Sequence, residues 1–178
     1  MKQSLFVFLI ALSTSVNAQN MEAKEAMEKL SFFHGSWTLE STYLNQDGEW
    51  VSNPEGEAQF TKILKGLSLL DESSFYFFGQ LYVTNSLVSF DFLRQEYRQI
   101  IVDDFIGYPD VHSGKFEGDN LVMTNLNTGT AFISNGKEIF YKSVYEEVKD
   151  DSFTMTIFSS GDRKNWTKIQ VINYRRKV

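Results

Sequence analysis

Residues 32–40 read Phe32-Phe33-His34-Gly35-Ser36-Trp37-Thr38-Leu39-Glu40. Within this stretch the spacing of apolar residues changes, and the change decides the fold. Before it, Met21 to Phe33 (MEAKEAMEKLSFF) is rich in Ala, Glu, Lys and Met, all good helix formers. Ala26, Met27, Leu30 and Phe33 recur near a 3.6-residue period, so a helix over 21–33 is predicted with one apolar face. Gly35 is expected to end it, as a left-handed C-cap or a tight bend. After Gly35 the period is two: Trp37, Leu39 and Tyr43 take one face and Thr38, Glu40 and Thr42 the other, the mark of a half-buried strand.

The alternation continues to the C-terminus. Asp47-Gly48 closes a first hairpin, and Asn53-Pro54-Glu55-Gly56 marks the next break. Strands are predicted over 57–65, 67–78, 81–92, 97–105, 111–116, 120–125, 129–134, 137–147, 152–160 and 166–176. Asn135-Gly136 carries the strongest hairpin signal, because a type I′ turn needs positive φ at both central residues. About ten strands, short connections and no second helix describe an all-β, antiparallel up-and-down barrel with a short N-terminal helix. The chain shows no linker, repeat or low-complexity tract, so residues 19–178 form one expected domain.

Residues 1–18 are set apart. Lys2, an apolar block from Leu5 to Leu12, and small residues Val16 and Ala18 before Gln19 compose a signal peptide. The expected mature protein is soluble and exported, periplasmic or extracellular. With no Cys it has no disulfide, thiolate metal site, catalytic Cys or lipid-modified Cys. A core rich in its 16 Phe must hold it instead. No later segment has the roughly 18 apolar residues of a spanning helix. The formal charge of −6 repels DNA and anionic membranes, so no nucleic-acid partner is expected.

The Gly35-Ser36-Trp37 step resembles the opening of the calycin superfamily, the lipocalin-like barrels. That resemblance implies a basic residue of the last strand lying over the tryptophan. Arg176 shares parity with Ile172 and Tyr174 and is the expected partner, with Arg175 second. Together Gly35, Trp37 and Arg176 would close the barrel's end, with His34 at the rim of that plug. More closely, the chain is similar to domain-of-unknown-function family 1579. The residues that carry this are Leu30 to Trp37, Ser89-Phe90-Asp91 followed by Tyr97, Asp103, and the Ser160–Trp166 turn. Ser89 and the Arg163-Lys164-Asn165 run depart from the family's usual residues. The family implies a fold and little chemistry. Haem-carrying calycins place an axial histidine on the final strands. Between Ser113 and Val178 this chain has none, and although Tyr174 could ligate in principle, haem is disfavoured.

Three uses of such a barrel follow. An apolar small molecule could lie among inward aromatics, with Phe75, Phe77, Tyr82, Phe90, Tyr97 and Asp103 as candidate contacts, or these side chains could simply fill the interior of a small barrel. A calycin-like isomerase or lyase would need an internal carboxylate or histidine, and Asp103 and His112 are the catalytic candidates. His112 lies near Asp103, Asp104 and Asp110 in sequence, a group that also composes an ordinary solvated acidic loop. Asp103 and Asp104 must point to opposite faces, and Asp103 shares the face of Tyr97, Gln99 and Ile101. Asp162 and Lys164 read as a solvated turn. Lastly, exposed aromatics or a sheet edge could serve an interaction module. No nucleophile elbow, P-loop or dinucleotide fingerprint is present and no metal site is expected. The calycin-like resemblance, together with the aromatic richness, implies binding rather than catalysis.

Overall fold

The computed structural model describes residues 21–178, so the leader reading lies outside the described residues. Residues 21–28 form the helix α1, and a 3-10 turn follows at Ser31–Phe33. The predicted helix is thus shorter than 21–33. The chain tightens at residues 29–30, yet Met27, Leu30 and Phe33 all stay buried, so the apolar face continues past the helix that carried it. Gly35 opens the first strand at φ +120° rather than capping a helix, while His34 is extended at φ −55°, ψ 130°.

Twelve strands follow: β1 (Gly35–Leu44), β2 (Trp50–Ser52), β3 (Gly56–Ile63), β4 (Ser68–Phe77), β5 (Gln80–Asp91), β6 (Glu96–Asp103), β7 (Asp110–Glu117), β8 (Asn120–Thr124), β9 (Phe132–Ser134), β10 (Lys137–Glu146), β11 (Ser152–Ser160) and β12 (Thr167–Arg176). Ten of them form an antiparallel ring in chain order, and β12 pairs with β1 to close it. Short connections place each new strand beside the last, which produces an up-and-down barrel. The remaining two are appendages. β2 pairs only with β1, and β9 only with β10, so the strand predicted over 129–134 is reduced to a three-residue hairpin arm outside the ring. Asn135 and Gly136, at φ 49° and 73°, make the tight turn between β9 and β10.

One end of the barrel is solid. Trp37, fully buried, donates its indole N–H to the Phe33 carbonyl at 2.7 Å and meets Phe153 edge-on at 4.8 Å. Phe153 in turn stacks on Tyr174 at 4.1 Å, and Phe33 packs on Phe60 at 5.1 Å. Beneath this plug Met27 and Leu30 seal the floor, and the Tyr97 hydroxyl donates to the Ala26 carbonyl at 2.8 Å, tying α1 to β6.

Arg176 locks the plug from outside. Paired with Trp37 across β1 and β12, it lays its guanidinium over the indole at 4.2 Å. The same group donates to the carbonyls of His34 at 2.6 Å, Asp150 at 2.9 Å and Phe32 at 3.2 Å. A Cβ on Gly35 would stand 2.7 Å from its Nη1, and φ +120° disfavours any other residue there. The Gly-x-Trp step is therefore a closure device: glycine lets the arginine pass, and the arginine joins the helix exit to the last strand. His34 is exposed and contributes its backbone oxygen to this joint.

Candidate functional site

The other end of the barrel is hollow. A cavity of about 540 Å³ opens there, within the ordinary range for small-molecule sites. Its profile is written along β4. Phe77 and Phe75 stand nearest the mouth, Ser73 and Asp71 lie deeper, and Leu69 belongs to the plug. These alternate residues share the inward face because side chains on a strand alternate. Roughly 20 Å of strand separates Phe77 from Asp71, at about 3.3 Å per residue.

Aromatic residues form a collar around the mouth. Phe75 meets Tyr82 at 5.5 Å, Phe77 meets Tyr82 at 5.9 Å and Tyr141 at 6.3 Å, and Phe105 meets Tyr82 at 6.4 Å. Phe132 of β9 completes the collar, so the appended hairpin extends the barrel wall upward. Phe105 and Phe132 also border an open groove of about 510 Å³ outside the rim.

Polar groups gather deeper. Asp71 accepts hydrogen bonds from the Ser73 and Ser86 hydroxyls, the latter at 3.2 Å. Gln99 donates to Ser86 at 3.0 Å. Burial pushes the Asp71 carboxyl up to about 6, against the lowering effect of its two serine donors. No described cation pairs with it. Tyr145 and Tyr174, buried near Asp71, are held above the usual phenol range, chiefly by burial; the Asp71 carboxylate adds to this at Tyr145, and Tyr145 followed by Asp71 at Tyr174.

A second carboxylate belongs to β7. Asp110 meets the His112 imidazole Nε2 at 2.9 Å and accepts from Thr130 Oγ1 at 2.8 Å and Asn125 Nδ2 at 3.2 Å. Burial alone would raise this carboxyl, but its partners hold it below the usual range. His112 is only 4% exposed, and its Nδ1 is enclosed without a hydrogen-bond partner among the described residues.

The sequence-predicted residues separate by height in the barrel. Phe75, Phe77, Tyr82 and His112 line the cavity. Asp103 faces inward beside the mouth. One of its oxygens accepts from the Tyr82 hydroxyl at 2.6 Å, and the other from the backbone N–H groups of Phe105 and Ile106 at 2.8 and 2.6 Å. It buttresses the collar with both oxygens engaged. Asp104 points the other way and accepts from the Val83 N–H at 3.0 Å. Phe90 and Tyr97 face inward at the closed end, meeting at 5.2 Å beneath the cavity floor. The acidic group around His112 is thus no single loop: Asp110 and His112 are wall residues, while Asp103 and Asp104 cap a turn. Asp162 does sit in an exposed turn, accepting from the Lys164 and Asn165 N–H groups at 2.9 and 2.7 Å.

Asp71, Ser73, Ser86 and Gln99 are the site residues that sequence reading missed. The signal was present on β4, where a carboxylate shares parity with Phe75 and Phe77. Among the described residues no group of three or more His, Asp or Glu side chains is arranged to hold a metal ion. Nor is any described helix long and apolar enough to cross a membrane.

Known proteins add the following. A crystal structure of Rv2717c from M. tuberculosis superposes with a TM-score of 0.65 at 13% identity, covering 86% of this chain and 98% of that one. The S-type phycobiliprotein lyase CPES from Guillardia theta superposes with a TM-score of 0.55 at 8% identity, covering 90% of this chain and 97% of that one. At such identities the likeness is one of fold. A comparison with curated proteins finds no match. The model of the family described as a protein of unknown function (DUF1579) matches residues 22–176. The chain belongs to domain-of-unknown-function family 1579.

Proposed function

We propose that this protein is an exported binder of a small, largely apolar molecule, held in the barrel's open half. The observation that carries this reading is the half-hollow lumen, closed by an aromatic plug at one end and left open under an aromatic collar at the other. A barrel of this size can fill its interior with side chains. Here the inward residues of β4 and β5 at mid-height are small, Ser73, Thr84 and Ser86, and the space they leave is the cavity. The pattern supports binding: apolar walls with a few placed polar groups give affinity and orientation together.

The outer face of β5 and β6 offers a competing surface, with Val83, Ile100 and Val102 each more than 40% exposed. A titration with Nile red, a neutral apolar fluorophore, separates the two. In the lumen its emission is expected to rise and shift to the blue, and Ser143→Trp, which fills the cavity from β10, is expected to weaken binding at least tenfold, about 1.4 kcal/mol. Equal binding by a folded Ser143→Trp variant, or none by the wild type, overturns the reading. Export rests on the leader composition of residues 1–18. The mass of protein recovered from its host is expected to correspond to a chain beginning at Gln19; retention of Met1 would contradict it.

A further inference from the structure

We propose that the lumen selects amphipathic organic cations, seating a protonated amine against Asp71 while the apolar body lies in the aromatic collar. This rests on the binding reading above and specifies its ligand class.

The lining carries two carboxylates, Asp71 and Asp110, and no Lys or Arg. Its one basic side chain, His112, is already engaged with Asp110. A protonated His112 would cancel Asp110 and leave Asp71 uncompensated. A neutral one would leave both acids. The lumen is negative in either state once Asp71 ionises. Charges act more strongly there than in bulk water, because the barrel wall surrounds them on most sides. An anionic amphiphile would set its head group against like charge, whereas an ammonium group would pair with the carboxylate.

Hydrogen-bond chemistry favours the same class. The carboxylate of Asp71 is an acceptor, and the Ser73 and Ser86 oxygens beside it can accept as well, matching the three N–H donors of an alkylammonium group. An ionised Asp110 only accepts, so His112 Nε2 carries the proton facing it. In the neutral ring Nδ1 is then a lone-pair acceptor, the one left without a partner. Above these acceptors the faces of Phe75, Phe77, Tyr82 and Tyr141 suit both an apolar skeleton and a cation approaching through the mouth.

Three probes with one ring system isolate the charge: 1-naphthylmethylamine, 1-naphthalenemethanol and 1-naphthoate. Each is titrated calorimetrically into the full mature protein at pH 7.5. The amine is expected to bind at least tenfold tighter than the alcohol, and the naphthoate more weakly than either. Asp71→Asn is expected to bring the ratio of amine to alcohol affinity, measured within the variant, from at least tenfold down to about twofold or less. Naphthoate binding as tightly as the amine overturns the proposal without recourse to any variant. So does an amine preference that survives Asp71→Asn. Nile red binding with no amine preference overturns this inference alone, whereas failure of Nile red and of all three probes overturns the binding reading with it.

Discussion

Replacing Trp37 by Ala is expected to cost about 3–5 kcal/mol of folding stability, the range for deleting a buried large aromatic. Trp37 is the largest fully buried side chain of the described barrel. Its loss would leave a void among Phe153 and Tyr174 and would orphan the Phe33 carbonyl that its N–H satisfies. It would also remove the surface on which the Arg176 guanidinium rests. Urea unfolding followed by tyrosine fluorescence or circular dichroism measures the change. A loss below 1 kcal/mol would show that the aromatic plug does not carry the closed end.

Asp71→Asn is expected to act in the opposite direction, and only above a defined pH. The Asp71 carboxyl rises from 3.8 to about 6 on folding, because burial disfavours its charge more than Ser73 and Ser86 stabilise it. Between these values the folded protein holds a proton that the unfolded chain has released. Stability linked to this group is therefore full below about pH 4 and is lost as the pH rises through 6. Two units at 1.36 kcal/mol each give about 3 kcal/mol. Asp71 borders the open cavity, and water there reduces the cost to about 1–2 kcal/mol. Glu72, Tyr145 and Tyr174, the charged and titratable neighbours that couple to it, are unchanged in the variant. Denaturation at pH 7.5 should find Asp71→Asn more stable than the wild type by that amount, with the advantage gone at pH 4. A variant less stable at pH 7.5, or a difference independent of pH, contradicts the placement of Asp71 as an unpaired lumenal carboxylate.

Much of the architecture was legible because a barrel strand announces itself twice, by alternation and by the turn that ends it. Trp37 to Tyr43 alternates cleanly, and Asn135-Gly136 turns where its composition requires. Arg176 could be chosen over Arg175 by parity alone, since one of two neighbours must lie beside the inward-facing row. Height in the barrel was not legible. Phe75 and Tyr97 have the same inward parity, yet one lines the cavity and the other supports its floor. Alternation reports a face and carries no information on distance along the axis, which depends on strand tilt and stagger. Asp71 was overlooked for a related reason: its neighbours Leu69 and Leu70 are apolar, and only the register of β4 against β5 brings it to Ser86. The brief extent of α1 had a different cause, since Phe33 keeps helical spacing while its backbone has already tightened.

The hollow half-barrel is tested most directly by locating a bound molecule. Amide chemical shifts of isotope-labelled protein, recorded during titration with 1-naphthalenemethanol, report where contact occurs. The expected shifts cluster at Asp71, Ser73, Phe75, Phe77, Tyr82, Thr84 and Ser143, with little change around Trp37, Phe153 and Arg176. Shifts confined to Val83, Ile100 and Val102 on the outer face, or no saturable shifts at all, would contradict a lumenal binding site.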